Sequence, residues 1–153
     1  MLDKGMSLGY SVISGWWKDT GTVDEFLDCN RMVLDKISSD ATSFDSIYGG
    51  KVSGRVRMGK NVKINGESRI LGPCYIGDDT TITDTYVGPF SSIGSRCNLI
   101  NIEIEDSIVM DGSSIEIANG TRISRSLIGS NVIIKPTVSK TRTIRLRYIN
   151  LKE

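Results

Sequence analysis

Val52, Met58, Ile64, Ile70, Ile76 and Ile82 stand six residues apart. Neither a strand period nor a helix period alone selects every sixth position. The aliphatic series resumes after a one-residue deletion at Val87, Ile93 and Leu99, shifts again to Ile104, Val109 and Ile115, and ends at Ile123, Ile128 and Ile134. Glycine follows the aliphatic residue directly at Gly59, Gly77, Gly88, Gly94 and Gly129. Four residues after it comes a small or β-branched side chain: Val56, Val62, Ser68, Cys74, Thr80, Ser91, Cys97, Ser113 and Val132. Self-similarity at so short a period marks a solenoid, and hexads of this kind build parallel β-helices. Each hexad supplies one short strand and one corner. The aliphatic residue points into a narrow prism, the small one fits beside it, and glycine relieves the backbone at the corner. The pattern predicts a mainly β fold, with roughly four to five coils between Val52 and Val138. Spacings of five and eight within Asn98–Ile123 predict a corner loop or a shortened face.

Ahead of the repeat the text changes character. Tyr10–Trp17 carries the apolar and β-branched residues of a short strand. Thr22–Ile37 reads as a helix with a written start, because Thr22 and Glu25 make a capping box. Val23, Phe26, Leu27, Val33, Leu34 and Ile37 then recur at helical spacing and predict one apolar stripe. Ser38–Gly50 is rich in Ser, Asp, Thr and Gly and reads as a linker. The expected organisation is therefore a short α/β segment, strand plus helix, over residues 1–48, and a β-helix with a C-terminal capping strand over 49–153.

Lys and Arg total 19 against 18 acids, which gives no electrostatic footprint for nucleic acid. No apolar run approaches a membrane span, and the N-terminus lacks a signal-peptide pattern. The three cysteines, Cys29, Cys74 and Cys97, form no CxxC pair and predict a reduced, cytoplasmic protein. Cys74 and Cys97 fall at the small inward position, and Cys29 beside the helix stripe, so packing rather than nucleophilic chemistry is expected of them. The late basic residues Lys135, Lys140, Arg142, Arg145, Arg147 and Lys152 alternate like those of a guarded edge strand, the cap a solenoid end requires.

Two resemblances follow from these motifs. The hexads resemble the hexapeptide-repeat family, whose left-handed parallel β-helix winds three hexads into each triangular coil. The segment GWWKDTGTVDEFLDCNRMVLD resembles the W-x-D-T-G-T segment of sugar-1-phosphate nucleotidylyltransferases, especially the long, archaeal-type form of the glucose-1-phosphate thymidylyltransferases. EIEDSIVMDG and SLIGSNVII look like the β-helix that those members append. The resemblance implies joining of a nucleoside triphosphate to a sugar 1-phosphate with release of pyrophosphate. It implies Asp19 as one Mg²⁺ ligand, Thr20 and Gly21 as the turn presenting it, and Trp17 and Lys18 as substrate contacts. Read without the resemblance, Asp19 is a solvated turn carboxylate at a helix N-terminus, Lys18 an exposed lysine, and Trp16 or Trp17 a packing group.

That chemistry needs two metal-binding aspartates, a glycine-rich phosphate loop with an arginine, and a lysine for the sugar phosphate, since the phosphoryl charge must be neutralised and the reactants aligned. The sequence holds no G-G-x-G-T-R-L type loop and no sugar-binding segment. In the family these lie upstream of W-x-D-T-G. The expectation is therefore the C-terminal portion of such an enzyme, with no complete catalytic site in this chain and no Mg²⁺ bound by it alone. Its roles would be assembly or regulation. A trimer is favoured over a dimer, with a separate nucleotidyltransferase chain as a further partner and neither nucleic acid nor membrane. At least one of Leu99, Ile100, Ile102 and Ile104 should face outward and supply a contact. The alternative is a hexapeptide-repeat acyltransferase using acetyl-CoA, but this chemistry usually takes histidine as its base, and the chain contains none.

Overall fold

The computed structural model describes residues 9–15, 17–38 and 52–136, plus 148–149, with the backbone alone at 118–120 and 148–149. Strands wind into a solenoid of three parallel faces. The first face stacks Val52–Ser53, Arg69–Leu71, Tyr86–Val87 and the second halves of Asn98–Glu105 and Ser114–Ser124. The second stacks Val56–Met58, Cys74–Ile76, Ser91–Ile93, Ile108–Val109, Leu127–Ile128 and Tyr148–Ile149. Lys63–Asn65, Thr81–Thr83, the first halves of the two long strands, and Ile133–Ile134 make the third. The in-register series Val52, Ile70, Val87, Ile104, Ile123 shows coils of 18, 17, 17 and 19 residues.

Every aliphatic residue of the predicted inward series lines one continuous core; Met58, Ile64 and Ile134 are only partly buried. Each residue of the small inward series is buried too. The irregular spacings have a simple cause. A five-residue step, as from Ile82 to Val87, keeps the left-handed corner residue that six-residue steps also carry, here Asp84 with φ 49°, and spends one residue fewer around it. The eight-residue step from Ile115 to Ile123 holds a bulge, and register shifts between Glu116 and Thr121. Of the four residues at issue in the irregular segment, Leu99, Ile102 and Ile104 are buried, and Ile100 is the half-exposed one.

Hydroxyls at the inward position complete the corners. Thr80 Oγ1 accepts from the amide of Cys97, Ser107 Oγ from Ser126, and Ser113 Oγ from Val132. Each takes an N–H of the next coil, so a Ser or Thr that the hexad pattern marks only as small also satisfies backbone. The glycines act differently from the corner relief predicted for them. A Cβ on Gly77 would stand 2.6 Å from backbone atoms of Gly94 and Ser95 in the next coil. Glycine is there because coils approach closely.

The helix Val23–Leu34 begins with the predicted capping box, both arms of it formed. At 12 residues it is about 18 Å long, close to the roughly 19 Å of four strand spacings. It lies along the second face, across the coils. Leu27 packs on Ile108 and Leu127, Asn30 reaches Phe90 and Ser92, and past its end Asp35 pairs with Arg55. Val23, Leu27 and Leu34 make the docked stripe. Phe26 and Val33 are exposed, so the single stripe predicted from spacing divides into a docked line and a solvent-facing flank.

The predicted strand at Tyr10–Trp17 is not formed: Tyr10–Gly15 and Trp17 carry no strand pairing, and Tyr10, Val12 and Ile13 are exposed. An extended segment becomes a strand only where a neighbour accepts its N–H and C=O groups. The linker and the 48/49 boundary lie outside the described residues, as does Trp16.

Candidate functional site

The motif Trp17–Gly21 forms the turn that enters the helix. Thr22 and Glu25 close its downstream side, with the Glu25 carboxylate taking the Thr22 amide at 2.9 Å. Lys18 Nζ stands 3.2 Å from Asp28 Oδ2, ten residues on along the helix. That pair holds the lysine against its own helix. Asp19, Thr20 and Gly21 are exposed, and the side chain of Trp17 is largely in solvent.

The turn is therefore open to solvent. Among the described residues no group of three or more His, Cys, Asp or Glu converges as a metal site. Asp19 and the Glu25 carboxylate both stand beside Gly21, but Glu25 Oε2 is taken up by the Thr22 amide and hydroxyl, which leaves too few oxygen ligands for a cation that demands near-octahedral ligation. The structure places Trp17, Lys18, Asp19, Thr20 and Gly21 together on one solvent-facing turn. A nucleophilic role for the inward cysteines has no support either: burial pushes the Cys74 thiol up to about 12 and raises Cys97 too. Cys29 is half-buried. At the other end of the chain, Tyr148–Ile149 pairs in parallel with Leu127–Ile128 as the last strand of its face, where the capping strand was expected. Lys135 is exposed, and the later basic residues lie outside the described side chains.

What sequence reasoning missed is the seat of the helix. Arg31 donates to Asp106 at 2.6 Å, and its guanidinium lies 4.8 Å from the Phe90 ring centre. The Asp106 hydrogen bond raises the Arg31 pKa, and partial burial opposes it. Arg125 joins the other Asp106 oxygen at 3.4 Å and Asp24 at 3.2 Å. The only signal in the sequence was a charged or aromatic residue where a hexad corner favours Asn, Asp or Gly.

No family model matches the chain. It is 39% identical over 134 residues to a glucose-1-phosphate thymidylyltransferase of Streptomyces antibioticus, covering 86% of this chain and 36% of that protein. A glucose-1-phosphate thymidylyltransferase of Streptomyces griseus is 38% identical over 132 residues, with the same shares covered. A low-salt glycan biosynthesis nucleotidyltransferase of Haloferax volcanii is 34% identical over 143 residues, 88% of this chain and 37% of that protein. The chain thus spans little more than a third of the length of these relatives. Matches of this extent reach into both the helix and the repeat.

Proposed function

From this similarity to sugar nucleotidylyltransferases, we propose that the chain acts as the C-terminal, β-helical portion of a glucose-1-phosphate thymidylyltransferase-like protein, in the cytoplasm and in nucleotide-sugar biosynthesis. It serves assembly or regulation and is not catalytically competent alone. The observation that carries the reading is the 39% identity to a glucose-1-phosphate thymidylyltransferase of which this chain spans 36%. The Asp19 turn resembles a metal-binding wall of the family, and among the described residues no group of three or more His, Cys, Asp or Glu gathers there as a metal site. Mg²⁺ and both substrates would be held mainly by residues of a nucleotidyltransferase domain, in the same protein or in a separate chain. The exposed Tyr10, Val12, Ile13 and Trp17 beside the turn are the apolar surface for that domain to cover.

The chain also self-associates in this reading, as a trimer in preference to a dimer, with half-exposed Ile100 at the contact, since closed symmetry hides apolar surface without making a filament. The experiment follows pyrophosphate release from each of the four nucleoside triphosphates with glucose 1-phosphate and Mg²⁺. The chain alone should release none. Turnover abolished by Asp19→Ala would overturn the reading. Light scattering behind size exclusion tests assembly: a monomer removes that role, and a dimer moves the contact to the N-terminal segment.

A further inference from the structure

The outward column of the second face runs in register through Arg57, Tyr75, Ser92, Ile108 and Leu127. The helix covers its lower part. Asn30 Oδ1 accepts from Ser92 Oγ, and Leu27 seals Ile108 and Leu127. Above Ser92 the last turn of the helix stays docked through Leu34 and the Asp35–Arg55 pair, and beside it a groove of about 600 Å³ opens between the helix C-terminus and the first two coils. Val33 and Ile37 line it from the helix, and Arg57, Lys60 and Tyr75 line it from the coils.

Among the described residues neither Arg57 nor Lys60 is in an ion pair, while Arg31, Arg55 and Arg125, which also border the helix, each have a carboxylate partner. One acid lines the groove, Asp78, and its Oδ1 accepts from the Lys60 amide at 2.7 Å. That bond occupies one of its oxygens with backbone. The volume falls within the range of small-molecule sites, and the composition is that of one: apolar side chains, an aromatic ring and a few polar groups. Two cations lining one groove suit a phosphate, and a Tyr ring in the same lining suits a flat aromatic body.

We propose that this groove binds a phosphate monoester with a flat aromatic body, a mononucleotide in size. The phosphate sits between Arg57 and Lys60, and the ring lies on Tyr75 against Val33 and Ile37. The inference does not rest on the nucleotidyltransferase reading, and the pyrophosphate assay that tests that reading leaves it untouched.

The test titrates the full chain into adenosine and thymidine monophosphates carrying a ribose fluorophore and reads anisotropy. The unlabelled nucleosides and inorganic phosphate serve as competitors. Saturable binding is expected, with nucleoside and inorganic phosphate each at least about tenfold weaker than the nucleotide. Arg57→Ala, Lys60→Ala and Tyr75→Ala should each weaken it about fivefold or more, at unchanged melting midpoint. Lys63→Ala, on the third face, should leave it unchanged. Absence of saturation at millimolar nucleotide overturns the site. Equal loss with Lys63→Ala reduces it to general charge attraction and overturns it as well. If inorganic phosphate competes as well as the nucleotide and Tyr75→Ala is silent, the ligand class is wrong.

Discussion

Arg31 and Asp106, 75 positions apart in the chain, meet through a 2.6 Å hydrogen bond between Nε and Oδ1. Around this bond lie three corner residues with left-handed backbone: Phe90 at φ 60°, Asp106 at 47° and Arg125 at 46°. Such φ values are unfavourable for bulky or long side chains, and persist where surrounding structure over-determines them. The helix supplies that structure. Its contacts to Phe90, Asp106 and Arg125 hold corners that local preference disfavours.

Asp106→Asn separates charge from shape, since Asn also tolerates left-handed backbone. The Asp106 side chain is only 11% exposed, but both arginines are roughly half in solvent. Screening at their end limits the loss to about 1–2 kcal/mol. Urea unfolding should show the lower midpoint. No change would mean that the charge on Asp106 contributes nothing to seating the helix.

Register has a sharper test. Ile82 is fully buried, so Ile82→Asp places an unpaired charge in the core and costs upwards of about 4 kcal/mol, enough to abolish folding. Thr83, one residue on, turns outward and accepts only a long bond from Asn65. Thr83→Asp should stay within about 0.5 kcal/mol of the parent. Circular dichroism and thermal melts of the two variants compare them directly; equal melting would refute the inward assignment.

Among the buried hydroxyls of the described residues, Ser91 alone lacks a partner. Ser107 and Ser113 each donate to a carbonyl and accept the next coil's amide. Truncation should therefore divide them. Ser107→Ala or Ser113→Ala leaves a buried amide unsatisfied and costs about 1–3 kcal/mol. Ser91→Ala removes an unpaired oxygen, and should be neutral or stabilising by up to about 1 kcal/mol. Chemical unfolding of all three, with an order other than this, would contradict the capping role of the hydroxyls.

Alkaline pH should act through Cys74. Its thiol moves from an ordinary value of 9.0 to about 12 in the folded chain, because burial penalises the thiolate. Below pH 9 both states keep the proton and the group has no effect. Between about 9 and 12 the unfolded chain loses a proton that the folded chain retains, so stability falls by up to about 1.4 kcal/mol per pH unit. Cys97 shifts in the same direction. Cys74→Val, which repeats the neighbouring Val56, should flatten the slope. Unfolding free energies measured at pH 8, 9 and 10 for parent and variant decide the point.

The core was legible because one physical demand repeats: a narrow prism admits an aliphatic residue at every sixth position, as at Ile70, Ile76 and Ile82. The helix start was legible for a similar reason, since Thr22 and Glu25 act within one turn. The seat of the helix was not. Arg31 and Asp106 meet only after the chain has wound through several coils, and no local spacing records it. The segment Tyr10–Trp17 was misread because β-branched composition reports suitability for a sheet, not the presence of a neighbouring strand. At the candidate site, the turn was readable as a motif, but the exposure of Asp19 is a property of space.

Arg96 and Arg125 share a backbone conformation but differ in what surrounds them, and this separates their fates on substitution. Arg96, at φ 56°, belongs to a corner column whose other members are Asn61, Asp79, Gly112 and Asn131, residue types that tolerate left-handed backbone. Its ion pair with Asp111 is 3.7 Å long and exposed at both ends, a contact worth little. Arg96→Asn should therefore stabilise by about 0.5–1 kcal/mol, the strain relieved exceeding the pair lost. Arg125→Asn relieves the same strain but severs Asp24 and Asp106 from their shared guanidinium, and should be neutral or destabilising. Melting midpoints of the two single variants test the difference. If both gain stability equally, the bonds from Arg125 contribute nothing to seating the helix.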